Sequence, residues 1–575
     1  MKKVFQLFKI INTKYPLSLW IFITVFIVSS ILESIGISLV IPIIALLLDP
    51  NFLLTLEDST FSNLVPDFIF SFDNNEAMIF FCTSIIIVYI LKSFFIYLSV
   101  YNISIFTGRV KAFLTNKLMF NYLHQDYLYY TSKNLSDINQ NVNQRVNDVC
   151  DGVVQSVLYI VSEGIILLAM IILILLFGQA DVFAILLGFF SFGIFSAKLL
   201  NSKVSEYGLT RQKEQDLKFE KFTKLLNNIR EILLIGKFKF AFKDFYRSLY
   251  SVAILDAKRQ ALQRSPGLIL EVVGVISLVT IVFYLRHLEY SSTNITAICA
   301  FFAAASYRAI PSLHKIVFYN YGFRFYYPAF LTLSDEIKLK DKIVYHEEKT
   351  KFLKKLELVN IKFKYSTKDD FTLNNISLTI EKGKKIGIYG ESGSGKTTLL
   401  DIISGLIKTS DGELIVDGIK INNDYLLRKH QNNISYTSQK TSLLNDSLKK
   451  NICFGVEEEL IDEKKYREVL HIAQLEDFEK TLVSKNFKLN DTGKNISGGQ
   501  LQRIGIARAL YRDNDIMIFD EATSSLDLKT ANSILDNIHN QKSDKTIILV
   551  SHNLLNLKSC DYLYEFKNSE IKLVE

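Results

Sequence analysis

The chain has 575 residues, 49% hydrophobic and 22% charged, with a formal net charge of +7. With 43 Phe, 28 Tyr and a mean hydropathy of +0.19, it can be neither disordered nor wholly soluble, and its length calls for two to four domains. Cys82, Cys150, Cys299, Cys453 and Cys560 form no CxxC pair, so no disulfide framework and no zinc site is expected.

The hydrophobicity concentrates before about residue 320. Apolar stretches near 17–48, 77–100, 153–177, 182–200, 266–286 and 295–318 read as six membrane spans. The first is too long for a cleaved signal peptide, carries Glu33 and lacks a small-residue cleavage site. Lys2, Lys3, Lys9 and Lys14 precede it. The loop after it holds Asp49, Glu57, Asp58, Asp67, Asp73 and Glu76 and neither Lys nor Arg. The positive-inside rule then places that loop outside and both termini in the cytoplasm. Within it, at 49–76, Phe52, Leu53, Leu54, Leu56, Phe61, Leu64 and Val65 suggest a short amphipathic helix at the outer interface; a simple capped turn is the other reading.

The segments after the second and fourth spans are long and basic, with Arg109, Lys111, Lys117, Lys133 and Arg145 in the first and the run from Lys198 to Arg264 in the second. Both read as helix continuations into the cytoplasm, longer than a bundle connection needs. Their tips, near Tyr127–Ser132 and 231–237, are placed to reach a cytoplasmic domain. Basic helices lying on anionic lipid are the alternative. Glu33, Lys92, Glu163, Glu271 and Arg308 fall within or near apolar spans. Each such charge costs roughly 2.5–3.5 kcal/mol on insertion scales, so each is expected to face a partner or a wet cavity. Lys92 and Arg308 would suit an anionic headgroup such as pyrophosphate; interhelical ion pairs or snorkelling are the structural alternatives.

Near residue 336 the character changes. A charged linker over 336–350 separates a transmembrane domain, 1–335, from a second domain, 351–575. There, short β-branched runs alternate with amphipathic helical runs, an α/β pattern. The strand 385–389 runs into Gly390-Glu391-Ser392-Gly393-Ser394-Gly395-Lys396-Thr397, followed by an apolar helix opening at Thr398. This is a P-loop in its strand–loop–helix context: backbone N–H groups close on phosphate oxygens, Lys396 reaches the β and γ phosphates, and Thr397 can ligate Mg²⁺. The strand 516–519 ends in Asp520-Glu521. Asp520 suits a Mg²⁺ site and Glu521 the orientation or deprotonation of an attacking water. Between them, Ser497, Gly498, Gly499 and Gln500 open a helix and make a second anion site.

With Ile496 in place of Leu, this last stretch resembles the LSGGQ signature of the ATP-binding cassette (ABC) ATPases, and the resemblance covers roughly 350–575. It implies ATP and Mg²⁺ as cofactors. It matches Gln439 to the family's Q-loop glutamine, which senses Mg²⁺, and Asp527 in Ser525-Leu526-Asp527 to the D-loop. His552 matches the switch histidine at the γ-phosphate, and Tyr365 the aromatic that stacks on adenine. In that family ATP lies between the P-loop of one cassette and the signature of another. One chain with one of each implies a homodimer of twelve spans, with a heterodimer as the alternative. The expected fold is a six-span α-helical transmembrane domain with long cytoplasmic helix extensions, fused to an α/β P-loop ABC ATPase domain.

Six spans ahead of one cassette are similar to ABC exporters, which implies ATP-driven alternating access in a bacterial inner membrane. The stretch from Glu33 to Pro42 and Tyr307-Arg308-Ala309-Ile310-Pro311-Ser312 resemble the bacterial flippases for lipid-linked oligosaccharides. Lys92 stands where an Arg is expected, and Gly267 follows Pro266 where that family can carry an Arg. The alternative cargo is a drug, a peptide or a plain lipid. A membrane-tethered ATPase that carries nothing is the reading from another class.

Overall fold

The computed structural model describes residues 2–48, 67–177, 180–290, 292–339, 348–365, 372–439, 441–484, 487–490, 496–541 and 544–574. The apolar residues of the expected outer helix, from Phe52 to Val65, lie outside them, as does most of the linker. The chain divides into two compact units: Met1–Leu123 with Lys133–Lys340, and His124–Ser132 with Asp341–Glu575.

The first unit is helical. Its long helices are Pro16–Ser38, Asn74–Leu123, Gln155–Phe177, Ala180–Asn227, Phe238–His287 and Ser292–Ile337. Among the described residues, four helical stretches are long and apolar enough to cross a membrane: Trp20–Ile44, Asn74–Leu123, Leu135–Ile172 and Phe238–His287. The stretches read as the fourth and sixth spans lie within Ala180–Asn227 and Ser292–Ile337. A helix of 50 residues, such as Asn74–Leu123, is about 75 Å long at about 1.5 Å per residue, more than twice a hydrocarbon core of about 30 Å. The surplus length is what the basic, breaker-poor continuations encode. Beyond the apolar stretches these helices are joined by buried charge. Arg211 pairs with Asp148 and lies 3.6 Å from Asp256, and Arg145 pairs with Asp216 at 2.7 Å. Two π-helical turns, Asn141–Arg145 and Cys150–Val154, flank Asp148. The second expected tip forms the short helix Ile229–Ile235, closed by Gly236 in the left-handed region.

The second unit is α/β. A four-stranded antiparallel sheet orders β2 (Leu373–Glu381), β1 (Lys355–Phe363), β4 (Asp411–Val416) and β5 (Ile419–Lys420). A six-stranded sheet orders β10 (Glu570–Leu573), β9 (Tyr562–Lys567), β3 (Lys385–Gly390), β8 (Thr546–Val550), β7 (Ile516–Asp520) and β6 (Ile434–Thr437). All neighbours from β9 to β6 are parallel. Strands β7 and β8 are buried at every position, which is why they read as continuous apolar runs rather than alternating ones. The short helix Tyr127–Ser132, the first expected tip, belongs to this unit, with Leu128 packed on the apolar cluster that contains Ile388, Leu399, Ile403 and Val550.

Candidate functional site

The register of the parallel sheet gathers the motif residues. Thr437 pairs with Phe519, Asp520 with Val550, and Ile388 also with Val550. The C-terminal ends of four strands are therefore level, and the loops leaving them emerge along one edge, where ligands of open α/β sheets bind. The P-loop comes after β3, Gln439 after β6, Glu521 after β7 and His552 after β8.

The P-loop turns through Gly393 and Gly395, at φ +77° and +118°, a region that side chains disfavour. Gly395 caps the helix Lys396–Ile403, which starts the chain inward at once. Lys396 is buried, and its ammonium donates to the carbonyls of Gly390 and Glu391 at 2.8 and 2.6 Å. Burial pushes its pKa down, against the pull of Glu521 and Asp520. Ser394 Oγ is buried without a hydrogen-bond partner, and Ser392 lies in the turn between Glu391 and Gly393. An unpartnered hydroxyl, the amides of a helix start and an ammonium form a donor set that fits a phosphate chain. Tyr365, edge-on to Phe363 at 5.0 Å, has its hydroxyl 3.3 Å from Thr398 Oγ1.

Asp520 is 4% exposed and accepts a hydrogen bond from Tyr436 at 3.2 Å. Thr397 also bonds it, and burial pushes its carboxyl pKa up. Asp401, one helical turn after Thr397, is pushed up to about 7, first by burial and then by the charge of Asp520. Two buried carboxylates and a threonine hydroxyl make a donor set of hard oxygens that fits a divalent cation. Glu521 stands in the left-handed region at φ +51°, its N–H held by Val550 O at 3.0 Å. Such strain in a non-glycine residue persists only where the surroundings impose it. The turn aims the carboxylate at two partners: Gln439 Nε2 donates to Oε2 at 2.7 Å, and His552 Nε2 lies 2.5 Å from Oε1. The three residues assigned to catalysis from sequence thus meet at one carboxylate.

Ser497 and Gln500 form a reciprocal capping box at the start of helix Gly498–Arg512, at 3.2 and 2.9 Å. Gly498 and Gly499 sit against Ser525 and Leu526; a Cβ on Gly499 would meet Leu526 Cδ2 at 3.1 Å. Asp527 caps the next helix through Thr530 N–H at 3.0 Å, which holds its pKa below the usual carboxylate value.

Three residues of this arrangement have no counterpart in the sequence reading. Tyr436 supports Asp520. Asp401 shares a helix face with Thr397 by the i, i+4 spacing, and that spacing was its available signal. Gln502 ties the signature helix to the turn after β7, donating to Glu521 O at 3.2 Å and Ser524 Oγ at 2.8 Å while accepting from Ser525 N–H.

In the helical unit, Lys92 and Arg308 do not stand alone. Lys92 Nζ and Arg308 Nε both lie 2.6 Å from Glu33 Oε1. Lys315 Nζ lies 2.6 Å from Glu163 Oε1, and Ser312 donates to Oε2 at 2.8 Å. Of the five charges singled out in the spans, four join this network and Glu271 is exposed.

Residues 373–524 match the family model of the ABC transporter domain, and residues 51–307 that of the ABC transporter transmembrane region. An ATP-dependent lipid A-core flippase of Pseudoalteromonas translucida is 37% identical over 42% of this chain and 41% of its own length. The chain spans about two fifths of the length of the relatives aligned in this way. A second lipid A-core flippase, from Mannheimia succiniciproducens, is 26% identical over 83% of this chain and 81% of its own. The structure of a bacterial Atm1-family ABC exporter with ATP bound superposes with a TM-score of 0.78 at 15% identity, over 96% of this chain and 95% of that one. A transmembrane region followed by one ATP-binding domain, in a fold shared along nearly the whole chain, makes this protein a member of the ABC transporters, with the architecture of their exporters.

Proposed function

We propose that this protein is an ATP-driven flippase that moves a lipid-linked substrate, specifically a lipid-linked oligosaccharide, across a bacterial inner membrane by alternating access. Two copies form the working unit, with the nucleotide domains and both termini in the cytoplasm and six spans per copy, near 17–48, 77–100, 153–177, 182–200, 266–286 and 295–318. The observation that carries the reading is the convergence of Gln439 and His552 on Glu521 beside the P-loop.

In this reading Gly390, Ser392, Gly393, Ser394, Gly395, Lys396, Thr397 and Thr398 hold the phosphates and Tyr365 the adenine. Thr397, Asp520 and Gln439 would hold Mg²⁺, which neutralises phosphate charge when bound. Glu521 orients the attacking water and takes its proton, and His552 fixes the carboxylate from its other oxygen. Ser497, Gly498, Gly499, Gln500 and Asp527 act on the nucleotide of the second copy. The second copy has support in the helix Ile229–Ile235 and the start of the helix after it. Leu233, Leu234, Ile235, Phe238 and Phe240 are all exposed there, Phe240 by 80%, a density of apolar surface that marks an interface. Lys92 and Arg308 receive an anionic headgroup, and the relatives' names supply the lipid class.

The test follows a labelled polyprenyl-pyrophosphate oligosaccharide, and in parallel a labelled lipid A-core glycolipid, in proteoliposomes. Glu521→Gln should keep nucleotide binding and lower phosphate release by about 10²–10⁴-fold, the usual worth of a general base. Movement of the oligosaccharide lipid in wild type and none in the variant is expected. Movement of the lipid A-core probe alone would reassign the cargo within the class. Glu521-dependent hydrolysis with movement of neither would leave drugs, peptides and plain lipids.

A further inference from the structure

Four helices meet at the buried charges of the helical unit. Glu33 comes from Pro16–Ser38, Lys92 from Asn74–Leu123, Glu163 from Gln155–Phe177, and Arg308, Ser312 and Lys315 from Ser292–Ile337. Two features of their geometry go beyond mutual neutralisation. First, Lys92 and Arg308 converge on the same oxygen, Glu33 Oε1, each at 2.6 Å. Arg308 Nη2 is 3.7 Å from Glu163 Oε2, and that carboxylate already serves Ser312 and Lys315. Three bases therefore share two acids. Second, the acids lie deeper than the bases: the Glu33 side chain is 1% exposed, against 16% and 15% for Lys92 and Arg308. Lys92 also rests over the Tyr89 ring at 4.5 Å, which fixes its approach.

An anion arriving from the exposed side meets the two bases first, in a cluster whose three bases and two acids sum to one positive charge. It needs the same donors that Glu33 occupies. A carboxylate tethered at that spot is a permanent rival with a single negative charge. A phosphodiester of a bulk phospholipid carries no more charge than Glu33 and gains little by exchange. A pyrophosphate or phosphomonoester carries more charge and so outcompetes the single carboxylate for Lys92 and the Arg308 guanidinium. We propose that Glu33 is a specificity-determining residue, a built-in competitor that admits only lipids with a multiply charged phosphate group and that reclaims Lys92 and Arg308 when the lipid leaves. The inference rests on the reading of Lys92 and Arg308 as the headgroup site.

The test measures equilibrium binding to the purified full-length protein, with radiolabelled farnesyl pyrophosphate, phosphatidylglycerol and inorganic pyrophosphate as probes. Wild type should bind farnesyl pyrophosphate well above phosphatidylglycerol. Glu33→Gln removes the rival charge and keeps the shape. It should tighten both lipids alike, by about tenfold, within the span of ordinary coupling between sites, so that phosphatidylglycerol binds at concentrations at which wild type excludes it. Glu33→Asp, which keeps the charge and withdraws it by one methylene, should give a smaller change of the same sign and covers a failure of the first variant to fold. Weaker lipid binding in both variants, with Lys92→Ala and Arg308→Ala also weaker, would leave the headgroup site standing and reduce Glu33 to a support, overturning the proposal alone. Binding indifferent to Lys92→Ala and Arg308→Ala would remove the headgroup site and the proposal together. Inorganic pyrophosphate binding as tightly as the lipid would reassign the cluster to a soluble anion and also overturn it.

Discussion

Glu33, Glu163 and Asp148 in the helical unit are each held against a base from another helix, whereas Asp401 and Asp520 in the nucleotide unit are buried with one another. The partners are Lys92 and Arg308 for Glu33, Lys315 for Glu163 and Arg211 for Asp148. Beside Asp520 stand a tyrosine and a threonine hydroxyl, while the ammonium of Lys396 is turned onto carbonyl oxygens. Both arrangements bury acid, but they store opposite things. Opposed charges on separate helices give every acid a base and tie those helices to one another. Carboxylates buried near one another oppose each other's ionisation, at a cost in stability, beside the P-loop. The costly arrangement sits where the end of β7 meets the helix after the P-loop, and the paired one where long apolar helices pack together.

Arg211→Ala is the strongest way to break this contrast. Arg211 and Asp148 are each 7% exposed, and removing one partner of a buried pair costs about 3–5 kcal/mol. Thermal unfolding of the helical unit should fall accordingly. Asp148→Leu combined with Arg211→Met should recover most of the loss, because an apolar pair of similar volume is about neutral. Asp256, at 3.6 Å and more exposed, should matter much less. A small effect from Arg211→Ala would mean that the pair is not what holds these helices.

The same contrast sets what the sequence can show. In the nucleotide unit Gln439, Glu521 and His552 each lie on the loop just after a strand of the parallel sheet, so motif and geometry are one statement. Gln439, Glu521 and His552 are readable one by one, and parallel register alone brings them level. Tyr436 is not, because its partner Asp520 is 84 positions away and nothing in either strand's pattern names the other. The helical unit gives up less. Glu33 and Arg308 are visible as charges in apolar runs, but a helix of 50 residues can rotate and slide, and which charge meets which depends on crossings that no local pattern encodes. Lys315 gives no signal of its own, since it lies toward the end of an apolar stretch where a lysine is ordinary. The two π-helical turns around Asp148 also come from no composition signal.

A smaller effect probes the other side of the contrast. Asp401 titrates near 7 in the folded chain, because burial and the charge of Asp520 oppose its ionisation, and near the ordinary carboxylate value once unfolded. An acid whose folded pKa is raised loses stability as pH rises from the unfolded value to the folded one, since the unfolded state sheds its proton first. Without divalent cation, the nucleotide unit should therefore weaken between pH 4 and 7 and level off above. At about 1.4 kcal/mol per pKa unit the ceiling is about 4 kcal/mol, and relaxation should bring it nearer 2. Asp401→Asn should flatten that slope and exceed wild type in stability at pH 8. Unfolding measured with a chelator present gives the answer, and an unchanged slope would remove Asp401 from the buried pair.

The smallest effect separates a structural role from a functional one at a single residue. Ser497 both caps the helix Gly498–Arg512 and, in the proposed dimer, meets a phosphate of the second copy's nucleotide. Ser497→Ala removes the cap and should cost about 1 kcal/mol, but it removes any phosphate contact too, so it cannot tell the roles apart. Ser497→Asp can. Aspartate caps as well as serine and is favoured by the helix dipole, so the nucleotide unit should keep its stability. The added charge faces whatever anion approaches the helix start. If Ser497 only caps, hydrolysis should stay near wild type. If the helix start receives phosphate, repulsion there should abolish hydrolysis while leaving the unfolding temperature and the binding of ATP to the chain's own P-loop unchanged, a combination that a purely structural residue cannot produce.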